Sequence, residues 1–267
     1  MSLLNKKIIQ NNFTKNSSVY EEHAEVQKFA VDNLFEQINF VISTNDFKNK
    51  KILDLGSGTG LIGNKFRQFK LINNHILNNF FYEVDLSFTM LKNSKNYSYK
   101  INADIENLPF KDHQFDLILS SFALHWLNNF SDSIKKISQI LKNSAVLAIA
   151  IPSAKSFNDL KKDNPFFLNN FIDYQEILKA LQKTQLQLIK TYHNQFNQQF
   201  PNQIFALKNI KKIGANYSQL HDNNHKEILL KNNFQNQRDF YKKNLHNSRQ
   251  NFTLNWQIDY LILKKID

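Results

Sequence analysis

The 267 residues contain no cysteine. That excludes disulfides, thiolate metal sites and cysteine nucleophiles. No apolar run approaches the roughly 20 residues that a membrane helix needs. The opening MSLLNKKIIQNNF lacks the apolar core and small-residue cleavage site of a signal peptide. A cytoplasmic protein with no membrane partner is expected, and no metal site. Glycine is nearly as scarce. There are five, and four of them are Gly56, Gly58, Gly60 and Gly63; the fifth is Gly214. Such a chain has gathered glycine where the backbone turns tightly and approaches a ligand.

A hydrophobic content of 42% supports one large domain or two small ones. The formal net charge is +11, which attracts polyanions. The charge is scattered rather than blocked, so a solvated surface accounts for it as readily as a binding patch.

Strand and helix signals alternate through the first half. Residues 1–48 read as helical, with Phe29, Leu34, Ile38 and Val41 at mostly helical spacing. Strands are expected at Lys51–Leu55, Asn79–Val84, Tyr99–Ala103, Phe115–Ser120 and Ala145–Ile151, with helices at Leu61–Phe69, Thr89–Lys95 and Asp132–Leu141. The strand AVLAIAI has hardly a polar residue, as in a parallel sheet covered on both faces. The fold class is therefore α/β, doubly wound. After Pro152 the pattern predicts helices at Ser156–Lys162, Tyr174–Lys183, Asn202–Ile213 and Lys226–Asn244. It predicts strands at Gln185–Phe196 and Asn251–Lys264, the latter at the sheet edge. The helices between these two strands are placed to form a lid over the ligand edge.

The segment ILDLGSGTG runs a strand into a glycine turn. A dinucleotide fold requires a third glycine where Leu61 stands, and a phosphate loop requires a Lys-Ser or Lys-Thr that is missing. Asp54, just before the turn, repels a pyrophosphate but attracts a sulfonium and an amino group. S-adenosylmethionine carries both cations and no phosphate. Asp85 ends the next strand, 25 residues past Gly60, where nucleotide folds place an acid on the ribose hydroxyls. Glu83 is the alternative, since strand alternation turns it the same way. Asp104, at the next strand end and followed by apolar Ile105, suits an adenine edge and face, or is an ordinary capped loop.

The pieces LDLGSGTG, VDLSFTML, ADIENLPF and FDLILSSFALHWL resemble the class I S-adenosylmethionine-dependent methyltransferases. Within that superfamily, NNFTKNSSVYEEHAEVQ, FALHWLNN, IPSAKSFNDLKK and FALKNIKKIGANY are similar to segments of the malonyl-acyl-carrier-protein O-methyltransferases of biotin synthesis. The likeness covers nearly the whole chain. It departs at Lys15, Ser121 and His125, where the family usually has Arg, Asn and Gln. It departs again at Asn143-Ser144, which replaces a glycine turn.

The resemblance implies a Rossmann-like sheet in one domain over 1–267. Residues 1–48 would form an N-terminal helical cap, 49–152 the cofactor core, 153–250 the lid and substrate region, and 251–267 the last strand. It implies a cofactor set of Gln27, Asp54, Gly56, Ser57, Gly58, Gly60, Asp85, Leu86, Met90, Asp104, Ile105, Ser120, Ser121 and Phe122. Tyr20 and His125 are the candidate catalytic residues; a packed tyrosine and a satisfied helix-start histidine are the plainer readings. Trp126 reads as core or pocket wall. The implied reaction methylates the free carboxylate of malonyl on acyl carrier protein. Such a carboxylate, with a pKa near 4, needs no general base at neutral pH. Its cation would be Lys15, Lys155, Lys208, Lys211 or Lys212. The implied partner is an acidic acyl carrier protein, and the lysines of KNIKK and KKNLH suit it.

A nucleic-acid partner is not expected. The place after the fourth strand reads SSFALHW, without the Pro-Pro-aromatic motif of amine-directed base methylases, and cytosine-C5 chemistry needs a cysteine. A small-molecule or quinone methyltransferase, and a related non-methylating assembly factor or hydroxylase, share the same core signals.

Overall fold

The computed structural model describes residues 4–41, 50–72, 80–158, 160, 171–215 and 251–266. The N-terminal helical stretch breaks into α1 (Lys6–Asn16), the single turn α2 (Tyr20–His23) and α3 (Glu25–Asn39). Asn5 caps α1 by accepting the Ile8 N–H at 3.2 Å, which satisfies one of the orphan donors of a helix start. Next come β1 (Lys51–Leu55), α4 (Leu61–Ile72), β2 (Phe80–Asp85), α5 (Phe88–Asn93), β3 (Tyr99–Asn102), β4 (Phe115–Ser121), α6 (Phe130–Ile140) and β5 (Leu141–Pro152). The chain continues with α7 (Tyr174–Leu181), β6 (Leu186–Phe200), α8 (Gln203–Lys212) and β7 (Phe252–Lys265). Two 3-10 turns, Ile105–Asn107 and Leu124–Trp126, follow β3 and β4.

The seven strands among the described residues form one sheet in the order β3-β2-β1-β4-β5-β7-β6. The pairs β1–β2, β2–β3, β1–β4 and β4–β5 are parallel, and β7 runs antiparallel to both β5 and β6. Side chains alternate across this sheet, so each strand feeds two apolar layers. Ile52, Leu117, Leu119, Val146, Ala148 and Ala150 pack with Val26, Ala30, Leu34 and Ile38 of α3. Leu53, Ile118, Leu147, Ile149 and Leu263 pack with Ile134 and Ile137 of α6 and Ile177 and Leu181 of α7. The spacing of about 3.6 along α3 and of 2 along the strands is what lets both faces close. Strand order reverses at β1, between β2 and β4, and open α/β sheets take ligands beyond the carboxyl ends at such a point. Among the described residues no helix is long and apolar enough to cross a membrane.

Several expectations change. The last strand is not at the edge: β7 lies between β5 and β6, and its Ile258–Leu263 run is buried throughout. Strand β6, rich in Gln and Asn and half exposed, takes the edge instead, where unpaired backbone and polar side chains meet water. It is also longer than predicted and ends at Phe200. Strand β5 begins at Leu141, directly after α6, with a register shift against β4 between Phe115 and Leu117. Of the expected helix Ser156–Lys162, residues 154–157 are a turn and only 158 and 160 are described as helical. The expected helix Lys226–Asn244 lies outside the described residues.

Ser144 explains the departure from the glycine turn noted above. It holds φ +59°, and its side chain is exposed. A residue with a Cβ is strained in that left-handed conformation. Ser144→Gly should therefore raise stability by about 0.5–1 kcal/mol, visible as a higher melting temperature; a lower one would contradict the strain.

Candidate functional site

A cleft opens beyond the carboxyl ends of β1, β2 and β4. Its floor is the glycine turn. The Gly56 and Ser57 N–H groups both donate to Val84 O, at 2.8 and 3.0 Å, which ties the turn to β2. Gly56 holds φ +71°, and a Cβ there would sit 2.1 Å from that of Ala123. No other residue type lets the chain leading into the 3-10 turn Leu124–Trp126 approach this closely.

Asp54 shares a sheet face with Ile52, and Gln27 and Val31 of α3 line the cleft with it. It is fully buried, and neither carboxylate oxygen has a hydrogen-bond partner. Burial raises its pKa well above the usual range, and the charges of Glu83 and then Asp85 add to the rise. Ser57 Oγ, Ser121 Oγ and Gln27 Oε1 are likewise buried without a partner, and all three residues line the same cleft. So many orphaned polar atoms around one hollow mark a ligand position, because each costs free energy when left unpaired.

Asp85 is fixed from below. Its carboxylate accepts the Gly58 N–H at 2.9 Å and the Ser87 N–H at 2.8 Å. Burial pushes its pKa up to about 6, against the pull of the Ser87 and Gly58 N–H groups. Asp104 caps the 3-10 turn Ile105–Asn107 by accepting the Glu106 N–H at 3.0 Å. Leu86, Met90, Ile105 and Phe122 complete the walls named from sequence.

The roof is α1, and sequence reasoning missed its part. Lys6, Ile9, Gln10 and Phe13 line the cleft. Gln10 Nε2 donates to Leu86 O at 2.8 Å, and the hydroxyls of Thr14 and Ser87 bond at 2.8 Å. Lys6 pairs with Glu106 at 2.7 Å and Asp104 at 3.3 Å. Burial opposes ionisation of Glu106, yet the bonds from Lys6 and from the Asn129 and Asn128 N–H groups hold its carboxyl below the ordinary value. Phe13 meets Trp126 edge-on at 5.9 Å, and Trp126 is itself a cleft wall. The signal was present: positions 6, 9, 10 and 13 fall on one helix face. Ile62 and Ser87 were missed as well.

Tyr20 lines the cleft and is buried. Burial, then Asp85 and Glu21, raise its hydroxyl above the ordinary tyrosine value, so it is a neutral donor at neutral pH. Three expected site residues stand elsewhere. His125 does not line the cleft. The 3-10 turn gives Trp126 to the cleft and packs the His125 ring against Trp126, Phe171 and Phe122 at 4.8, 5.3 and 6.2 Å. Burial pushes its pKa down to about 3, so it is neutral. Ser120 lies on the opposite sheet face from Ser121, and its hydroxyl donates to Leu55 O at 2.9 Å. Gly60 packs behind the turn, against Ser94 and Asn96. The five candidate lysines, Lys15, Lys155, Lys208, Lys211 and Lys212, are all exposed and none lines the cleft. Among the described residues Lys6 is the one cation on its wall. No described group of three or more His, Asp or Glu residues is arranged to hold a metal ion.

A family profile described as a methyltransferase domain matches residues 53–149. Of solved structures, YcgJ from Bacillus subtilis is similar with a TM-score of 0.54 at 14% identity, over 87% of this chain and 99% of its own. The [4+2]-cyclase SpnF is similar with a TM-score of 0.53 at 13% identity, over 90% of this chain and 80% of its own. These likenesses concern the fold. The malonyl-[acyl-carrier protein] O-methyltransferase of Erwinia billingiae is 25% identical over 99% of this chain and all of its own length. The protein of the same name from Buchnera aphidicola is 30% identical over 86% of this chain and 88% of its own. At that identity and coverage, the chain belongs to the malonyl-[acyl-carrier protein] O-methyltransferase family.

Proposed function

We propose that the chain transfers a methyl group from S-adenosylmethionine to the free carboxylate of malonyl carried on acyl carrier protein, an early step of biotin (pimeloyl) synthesis. Family membership names the acceptor. The observation that carries the donor is Asp54, a buried carboxylate with two unpartnered oxygens in the cleft. A cationic ligand without phosphate satisfies it; a pyrophosphate does not.

The residues fit this cofactor. Asp54 faces the cationic amino-acid end, with Gln27, Ser57 and Ser121 supplying polar contacts. Gly56 and Gly58 let the backbone come close. Asp85 takes the ribose hydroxyls beside Leu86 and Met90, while Asp104, Ile105 and Phe122 border the adenine. When bound, S-adenosylmethionine supplies an electrophilic methyl group on a sulfonium.

The acceptor carboxylate is already ionised at neutral pH, with a pKa near 4, so the protein need not remove a proton. That suits a site whose histidine is neutral and turned away. The work left is alignment and the exclusion of water. Tyr20 presents a neutral hydroxyl to orient the acceptor. The α1 roof and the Phe13–Trp126 contact close the cleft from solvent. The partner in this reading is an acidic carrier protein. On α8, Phe205, Lys208 and Lys212 share one exposed face, and the helix continues into Gly214, which packs against Phe13 of the roof. A negative partner docked there delivers its tethered acyl group beside the cleft. A cytoplasmic location, without nucleic acid or membrane, belongs to the same proposal.

Labelled S-adenosylmethionine should transfer its methyl group to malonyl-acyl carrier protein and far less to free malonate. Lys208→Glu with Lys212→Glu should raise KM for the carrier substrate and leave a malonyl-pantetheine thioester unaffected. Cofactor binding without any transfer to the carrier substrate would sink the acceptor assignment. The pH dependence follows from Asp85. Burial pushes its pKa up to about 6, and protonation removes acceptor capacity. Cofactor affinity should therefore fall as pH drops through about 6, in addition to the pH dependence that the raised Asp54 carboxyl gives it, and Asp85→Asn should be weak and lack that added step. Calorimetry showing the same change in affinity between pH 5.5 and 7.5 for the wild-type protein and for Asp85→Asn would contradict the ribose role.

A further inference from the structure

Glu83 is a second fully buried carboxylate on β2, two residues before Asp85, and it does not line the cleft. Three side chains donate to it. Ser94 Oγ lies 3.0 and 2.9 Å from its two oxygens, Asn96 Nδ2 at 2.7 Å and Ser98 Oγ at 2.6 Å. The same Asn96 nitrogen donates to Gly60 O at 2.8 Å. One hydrogen-bonded path therefore runs from β2, through the loop between α5 and β3, to the glycine turn.

Gly60 is the hinge of that turn. It holds φ +86°. Its N–H donates to Ser57 O at 2.9 Å, and its carbonyl also accepts the Asn64 N–H at 2.9 Å, the first bond of α4. The Asn96 side chain occupies the space beside it. An added Cβ at Gly60 or Gly63 would fall 2.4 or 2.2 Å from Asn96 Nδ2. A turn of glycines has the most backbone freedom to lose, and a site already ordered spares the ligand that cost.

We propose that Glu83 and Asn96 are positioning residues that hold the glycine turn in its binding shape before the cofactor arrives. They touch neither cofactor nor acceptor and act through the Gly60 carbonyl. The acid is required because a carboxylate offers acceptors to all three donors, whereas one arm of a glutamine is itself a donor. Nothing in the family resemblance or the glycine motif assigns either residue. The inference rests on the S-adenosylmethionine reading of the cleft.

The test measures Kd for S-adenosylmethionine and for its demethylated product, S-adenosylhomocysteine, with kcat at saturating cofactor. Asn96→Ala should raise both Kd values by about tenfold and by the same factor, because the turn holds what the two ligands share. Its kcat should stay within about twofold. A melting temperature that falls while both Kd values stay put would make the pair merely structural and overturn the proposal. Should Asn96→Ala fail to fold, Glu83→Gln carries the test. It keeps the size, and it should again raise both Kd values. A rise for the sulfonium ligand alone would show that Glu83 acts only through its charge beside Asp54 and not through the shape of the turn, which also overturns the proposal. Failure of the wild-type protein to bind S-adenosylmethionine would instead overturn the cofactor reading itself.

Discussion

The cleft is organised around one unfavourable burial. Asp54 sits at the carboxyl end of a central strand with no exposure and no hydrogen-bond partner. Removing an isolated carboxylate from water costs several kcal/mol, so burial raises its pKa well above the usual carboxylate range. A cation reverses that balance. Glu83 and Asp85 sharpen the effect, since each adds negative charge nearby. The neighbourhood thus stays unsatisfied until a positive ligand enters. The sheet makes this possible, because β1 lies at the reversal of strand order, with β2 and β4 on either side.

The other parts answer to that centre. The glycine turn lets backbone approach the ligand, Asp85 is oriented by two N–H groups, and α1 closes the top through Gln10, Thr14 and Lys6. Nothing among the described cleft walls is built as a strong base. For a substrate that is already ionised this is no deficiency: shape, charge and exclusion of water are the means left. The same fold hosts other chemistry, as the likeness to a [4+2]-cyclase illustrates, so the fold alone does not fix the reaction. The acceptor assignment rests on family membership.

Much of the fold was legible because its signals are local. The near-continuous apolar runs of ILDLG and AVLAIAI place two buried faces, and a glycine turn without the dinucleotide spacing points to its ligand class. Asp85 could be found by its distance from the turn. Less legible was what depends on partners distant in sequence. That β7 is internal follows from pairing with both β5 and β6, not from its own pattern. The direction of His125 is set by a 3-10 turn that gives its neighbour, Trp126, to the cleft. Ser120 and Ser121 exchange importance through strand alternation, which a motif match does not resolve. The roof was missed because α1 carries few strongly apolar residues, although its cleft-facing positions share one face.

The most direct measurement is the ionisation of Asp54, followed by carbon-13 NMR of its side-chain carboxyl. In the free protein it should titrate well above the usual carboxylate range, and saturating S-adenosylmethionine should bring it down. An Asp54 that titrates in the ordinary carboxylate range without ligand, or one whose titration ignores the ligand, would contradict the account.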